Sequence, residues 1–294
     1  MTRCLITGAH GFVGRHLSAH LTSSGDEVHG VDREVDVTDR EGLQSVIAAV
    51  GPQVIYHLAA LTHVGDSWQH PDDFTRVNVV GTLNVLEAAR RAAPDAVVLV
   101  VSSADVYGVV EESDLPIDEG HPPRPVSPYA QSKIEAERVS REAAHVGQRV
   151  VIVRPFNHIG PGQAANFVVP ALASRLVRAR DLGASSVPVG DLSARRDFCD
   201  VRDVVRAYRL LATFGAAGEV YNVASGHDVA ISDIAKWLVA RIAPGIRLSV
   251  SEELLRPIEI PVSRGSFAKL QRATGWEPRI TLATSLEDVV EELH

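Results

Sequence analysis

The sequence predicts an α/β fold, a doubly wound parallel sheet with a smaller interleaved lobe. Three observations carry this. Short apolar runs alternate with longer segments of helical spacing, a glycine-rich turn follows the first run, and the regular alternation stops after Pro155. A short run of Val, Ile and Leu reads as a strand buried on both faces. Strand–helix–strand repetition then requires parallel pairing through right-handed crossovers.

The elements follow in order. Arg3–Thr7 is the first strand, and Gly8 to Gly14 turn the chain into a helix carrying His16 and His20. Glu27–Val31 is the second strand and runs into Asp32. Val54–His57 is the third, followed by Leu58, Ala59 and Ala60, and residues 77–91 have helical spacing. Val97–Val101 is the fourth strand and leads into Ser102-Ser103-Ala104-Asp105-Val106-Tyr107-Gly108. Prolines crowd residues 116–128, which predicts a loop rimming a cleft. Residues 132–144 form a helix and 150–153 a fifth strand. Residues 201–213 read as a helix and 219–223 as a strand, a pair that returns to the main sheet. The large lobe is thus expected to hold residues 1–155 plus about 191–224, and the small lobe about 156–190 plus 225–294.

Composition narrows the function. The 294 residues are 45% hydrophobic and 22% charged, which excludes a disordered chain. No apolar run approaches the ~20 residues needed to span a bilayer. The N-terminus reaches glycine too soon for a secretory signal. Two cysteines, Cys4 and Cys199, make neither a disulfide framework nor a zinc site, so a cytoplasmic location is expected. A formal charge of −8 argues against nucleic acid as a partner. An anionic substrate would need local arginines against that field.

Gly8-Ala9-His10-Gly11-Phe12-Val13-Gly14 has the spacing G-x-x-G-x-x-G between a strand and a helix. Glycines allow the tight turn and close backbone approach to a pyrophosphate, and the helix N-terminus offers free N–H groups to it. This makes the sheet Rossmann-type. Asp32, at the end of the second strand, suits the adenosine ribose hydroxyls and repels a 2′-phosphate, favouring NAD(H) over NADP(H). Arg33 beside it pulls the other way.

Tyr129-Ala130-Gln131-Ser132-Lys133 is Y-x-x-x-K, and residues four apart share a helix face. An ammonium beside a phenol is expected to lower the phenol pKa and prepare Tyr129 for proton exchange with a sugar hydroxyl or ketone. Ser103, just past the fourth strand, is positioned to hydrogen-bond the reacting oxygen. His16 and His20 lack an accompanying glutamate and a third ligand, so no metal site is expected. Cys199 has no visible base, and packing is its expected role.

These motifs, GAHGFVG, HLAA (57–60), NVVGTLNVLEA (78–88), SSADVYG and YAQSK, resemble the extended short-chain dehydrogenase/reductases of the NAD-dependent epimerase/dehydratase family. The resemblance covers essentially the whole chain. RPFNHIGPG (154–162), VGDLSARRDFCDVRDVVRAY (189–208), EVYNVASG (219–226), Arg256-Pro257 and TGW (274–276) are similar to GDP-mannose 4,6-dehydratases and GDP-4-keto-6-deoxymannose reductases. It implies NAD(P)H in the large lobe, a nucleotide diphosphate sugar (the GDP form favoured) in the small one, and a homodimer through a four-helix bundle. It also implies coenzyme contacts at Gly8, Gly11, Phe12, Val13, Gly14, Asp32, Arg33, Asp36, Val37, Leu58, Ala59, Ala60, Asn78, Tyr129, Lys133 and Pro155. Ser103, Tyr129 and Lys133 would be the catalytic set, with Asp105 beside them. Substrate contacts would come from Ser103, Tyr129, Asn157, His158, Val168, Arg196 and Arg256. Guanidinium forks suit a diphosphate, although Arg196 has Asp197, Asp200 and Asp203 as possible ion-pair partners.

The resemblance leaves three reactions open. A 4,6-dehydratase needs an acid and a base after the catalytic hydroxyl residue, and those positions hold Ala104, which has no proton to give, and Asp105, one methylene shorter than glutamate. A 4-epimerase uses the same set without net oxidation of coenzyme. A reductase needs only a proton donor, a polarising hydroxyl and a lysine, and all are present. The sequence therefore predicts NAD(P)H-dependent reduction of a nucleotide-linked 4-keto-6-deoxyhexose, such as GDP-4-keto-6-deoxymannose to GDP-rhamnose. A non-catalytic NAD(P)-binding protein is the alternative from another class.

Overall fold

The computed structural model describes residues 1–254, 258 and 260–293. Six parallel strands make the main sheet: β1 (Arg3–Thr7), β2 (Glu27–Val31), β3 (Val54–His57), β4 (Val97–Val101), β5 (Arg149–Pro155) and, from later in the chain, β9 (Val220–Val223). Their order across the sheet is β2-β1-β3-β4-β5-β9. The chain leaves β1 to one side for β2 and returns to the other side for β3. The crevice where that direction reverses opens at the strands' C-terminal ends, where α/β sheets bind ligands.

The strands are apolar on both faces because both are covered. Successive side chains point to opposite sides. Cys4 and Ile6 of β1, Val97 and Leu99 of β4, and Val151 and Val153 of β5 pack with α1 (Phe12–Ser23) and α8 (Val201–Phe214). Leu5, Val98, Val100, Val150 and Ile152 face α2 (Arg40–Val50), α5 (Gly81–Ala92) and α6 (Pro128–His145).

A second core is built from β6 (Asn157–Ile159), α7 (Val168–Asp181), β7 (Ser186–Val189), β8 (Arg195–Asp200), β10 (Asp228–Ala230), α9 (Ile231–Ile242), β11 (Arg247–Val250) and α11 (Leu282–Glu291), with β12 (Val262–Ser263) beside it. Strand β8 is its hub, pairing with β6, β10 and β12. The two cores interlock. Ala194 and Phe198 pack in the second, whereas Leu270 of α10 (Ala268–Thr274) and Trp276 pack in the first.

Three elements differ from the sequence expectation in extent. The helix over 77–91 is a π-helical turn, Thr75–Val80, merging into α5. That turn accompanies an inward-facing Asn78, whose amide bonds Leu61 and Ser132. The helix expected at 132–144 begins at Pro128, because the Ser127 hydroxyl accepts the Ala130 N–H and proline's fixed φ suits the first turn. The fifth strand continues to Pro155 and carries Arg154 into the interior. Two short helices, α3 (Val64–Gln69) and α4 (Pro71–Phe74), pack against α6. Among the described residues, no helix is long and apolar enough to cross a membrane.

Candidate active site

The glycine turn fits a dinucleotide for reasons visible in its packing. Gly8 has φ +74°, and a Cβ there would lie 2.8 Å from the Ala59 backbone nitrogen. A Cβ on Gly14 would lie 2.2 Å from the Gly8 carbonyl oxygen. No side chain caps α1 at Gly11, so the helix keeps N–H groups free for an anion. This cradle and the uncapped helix suit a pyrophosphate.

Asp32 stands half-buried beside this turn, and its Oδ2 accepts the His10 N–H at 2.9 Å. Glu34 accepts the Asp32 N–H, so two carboxylates lie at the end of β2 beside the exposed Arg33. Asp36 binds the Thr38 amide and hydroxyl, which hold its carboxyl below the usual range. Val37 is buried against Gly81.

Leu58, Ala59 and Ala60 are half-buried, and their turn is tied down by groups the sequence reading missed. His57 is 4% exposed. Thr82 Oγ1 donates to the Asn78 carbonyl, so it accepts from His57 Nε2 (3.0 Å). His57 Nδ1 is then left to accept from Thr7 Oγ1 (2.8 Å), which in turn accepts the Ala59 N–H. Burial and the Lys133 charge push the imidazole down to about 3, so it is neutral. Asn78 adds its own clamp, accepting the Leu61 N–H and donating to the Leu61 carbonyl. The Asn78 side chain is thereby engaged within the protein and holds this turn in shape.

Ser103, Asp105, Tyr129 and Lys133 converge past the C-terminal end of β4. Ser103 Oγ accepts the Asp105 N–H at 3.1 Å, and Lys133 Nζ donates to the Val101 carbonyl at 2.9 Å. Tyr129, in the first turn of α6, is 7% exposed and meets Phe74 edge-on. The expectation that Lys133 lowers the Tyr129 pKa is corrected here. Burial is the main influence and pushes the phenol up; the Asp105 charge adds to that, and a hydrogen bond to Ser103 pulls it back. Tyr129 is therefore a protonated donor. Burial brings Lys133 down to about 8 against the opposing pull of Glu137.

The other expected contacts come from later segments of the chain. His158 is half-buried and stacks on Phe12 of the glycine turn, centroids 6.0 Å apart. Asn157, the residue before it, is exposed. His16 donates to the Pro161 carbonyl and Arg15 to the Gly162 carbonyl, closing the same seam. Asn157 pairs in register with Phe198, and Arg196 lies two residues earlier on β8, on the same strand face. Arg196 Nη1 donates to the carbonyls of Arg195 and Ile260. The aspartates named as its possible partners hold other groups: Asp197 accepts from Ser225, Gly226 and Gly265, Asp200 from Arg202 and Ser285, and Asp203 from Arg206, Arg279 and Ile280. Val168 opens α7 against the second core, and Pro155 is buried at the end of β5. Arg256 lies outside the described residues. Among those residues no group of three or more metal-ligating side chains gathers. Cys199 is buried, which raises its thiol well above the usual range.

A second omission is Glu137, one turn beyond Lys133, which forms a bidentate ion pair with Arg154 at 2.7 Å for both bonds. The signal was an arginine inside an apolar strand. A charge there requires a buried partner.

Comparison with known proteins places the chain in a family. The NAD dependent epimerase/dehydratase family matches residues 4–224. The GDP-6-deoxy-D-mannose reductase of Pseudomonas aeruginosa is 38% identical over 99% of this chain and 96% of its own length. The GDP-6-deoxy-D-talose 4-dehydrogenase of Aggregatibacter actinomycetemcomitans is 31% identical, covering 99% and 97%. Among solved structures, RMD from Pseudomonas aeruginosa complexed with NADPH superposes with a TM-score of 0.92 at 37% identity, covering 99% and 98%. The chain belongs to the NAD dependent epimerase/dehydratase family.

Proposed function

We propose that the protein reduces the C4 ketone of a nucleotide-linked 4-keto-6-deoxyhexose with NAD(P)H, converting a substrate such as GDP-4-keto-6-deoxymannose to a GDP-rhamnose-type product. The observation that carries this is the gathering of a buried Tyr129 with Ser103 and Lys133 past the C-terminal end of β4. The similarity to a GDP-6-deoxy-D-mannose reductase supports the substrate class.

The bound dihydronicotinamide supplies the hydride. Ser103 Oγ polarises the ketone, and Tyr129 gives its proton to the oxygen as it becomes an alcohol. Lys133 holds the nicotinamide ribose and supports the phenolate left on Tyr129. Asn157, His158, Val168, Arg196 and Arg256 are assigned to the nucleotide sugar, within the small lobe of residues 156–190 plus 225–294. The coenzyme is assigned to residues 1–155 plus about 191–224. Asp32 and Glu34 favour NADH, while Arg33 leaves NADPH usable.

Asp105, whose charge reaches Tyr129, favours a second reading as a 4,6-dehydratase. Against it, the preceding Ala104 carries no proton. We assign the protein to the cytoplasm, supported by free, buried Cys4 and Cys199. We also assign a homodimer through α5 and α6, supported by the exposed Val80 and Leu83.

Incubation with GDP-4-keto-6-deoxymannose should consume NADH or NADPH, and Tyr129→Phe should abolish this while coenzyme binding persists. No consumption with either coenzyme overturns the reductase, and near-native turnover by Tyr129→Phe overturns the proton-transfer role.

A further inference from the structure

Beneath the proposed catalytic set lies a buried ion pair, Glu137 with Arg154, joined from the surface by Arg141, that the reaction itself does not use. Glu137 has no exposed side-chain surface and accepts four hydrogen bonds. Its Oε1 takes Arg154 Nε at 2.7 Å and Ser102 Oγ at 2.6 Å. Its Oε2 takes Arg154 Nη2 and Arg141 Nη2, each at 2.7 Å. Arg154 is 2% exposed, its guanidinium lies 4.7 Å from the centre of the Tyr107 ring, and the Tyr107 hydroxyl donates to Asn222. Arg154 Nη1 has no hydrogen-bond partner among the described residues. Burying such a pair costs solvation that packed apolar residues would avoid. The arrangement is therefore poorly explained by stability alone.

Its position explains it better. Helix α6 presents Tyr129, Lys133 and Glu137 at successive turns, on one face. Lys133 grips the backbone of Val101, and Glu137 grips the side chain of Ser102. The next residue is Ser103. We infer that Glu137, clamped by Arg154, is a positioning residue that locks helix α6 to the end of β4 and so fixes the Ser103–Tyr129–Lys133 geometry. The inference rests on the role proposed above for those three residues.

The same carboxylate bears on the charge of Lys133. Burial disfavours the ammonium, and Glu137 is the group that opposes this. The other titratable groups near it are Tyr129 on its own helix, Asp105 after β4, Arg154 on β5 and the neutral His57 on β3. The elements packed on α6 add the buried Tyr107, then His63, Asp66, Asp72, Asp73, Arg76, Arg90, Arg91 and Arg149, all partly or fully at the solvent, and Glu87, which pairs with Arg40; on α6 itself the exposed Arg141 bonds Glu137.

Replacing Glu137 alone strands a buried guanidinium. The test therefore uses the double variant Glu137→Gln/Arg154→Met, with Ser102→Ala as the milder second. The readouts are kcat, KM, coenzyme affinity and the pH dependence of kcat. The double variant should lose roughly a hundredfold in kcat at unchanged KM and coenzyme affinity, the order expected for ~1 Å of misplacement. Its alkaline limb should move to lower pH by about one unit, because the ammonium loses the carboxylate that opposes its burial. Ser102→Ala should lower kcat about tenfold with the limb unmoved, since the carboxylate remains. Native kcat in the double variant, or a lower kcat with the limb unmoved, overturns the inference. If the double variant does not fold, native kcat in Ser102→Ala overturns it instead. Tyr129→Phe separates the two readings. If it turns over normally, the proposed chemistry fails; if it is inactive while the Glu137 and Ser102 variants behave as native, only this inference fails.

Discussion

Lowering the pH from 7 to 5 should cost this protein about 2 kcal/mol of stability through a single imidazole. His57 is sealed between Thr7 and Thr82 with both ring nitrogens engaged. Thr82 spends its proton on the Asn78 carbonyl, so Nε2 must carry hydrogen and Nδ1 must accept. A second proton on Nδ1 would break the bond from Thr7 and place a cation in the interior. Burial accordingly takes the group from 6.5 to about 3. As the pH falls through 6.5, the unfolded chain takes up a proton that the folded one refuses. Stability from this source is complete above 6.5, declines as the pH falls, and levels off near 3. At pH 5 the unfolded chain is favoured by RT ln(1 + 10^1.5), about 2 kcal/mol, and any folded value below ~4 gives the same figure. Urea unfolding of the native protein and of His57→Gln at both pH values tests this. The variant should be weaker at pH 7 and should show a pH dependence about 2 kcal/mol flatter. His20 and His158, also lowered by burial, are present in both proteins and cancel in the comparison. An equal loss in native and variant would mean that the imidazole titrates freely, and the argument would fail.

Two further outcomes follow from the coenzyme side. Gly14→Ala should abolish coenzyme binding in a fluorescence titration, because its Cβ would meet the Gly8 carbonyl oxygen at 2.2 Å and the turn must open; retained affinity would show that the turn is not the cradle. Asp32→Ala removes the carboxylate proposed to meet the ribose and should raise the ratio of kcat/KM for NADPH over NADH about tenfold, the equivalent of ~1.4 kcal/mol. An unchanged ratio would assign the preference elsewhere.

Much of this protein is legible along the chain. The apolar strands announce a sheet covered on both faces, since only burial on both sides tolerates Val-Val-Leu-Val-Val at 97–101. The glycine spacing and Y-x-x-x-K are local patterns whose chemistry depends on neighbours within one turn. Each therefore pointed to its place before any packing was known. The sense of the Tyr129 shift was not legible, because it depends on how much water the fold excludes and on Asp105 arriving from another element. The same holds for His57, whose ring is defined by Thr7 and Thr82, and for Glu137, whose partner lies 17 residues away on β5. Periodicity and spacing report which face of a segment is buried. Only the tertiary structure decides which polar groups meet there, because a hydrogen bond or ion pair in the interior is set by distances of a few ångströms between segments far apart in sequence.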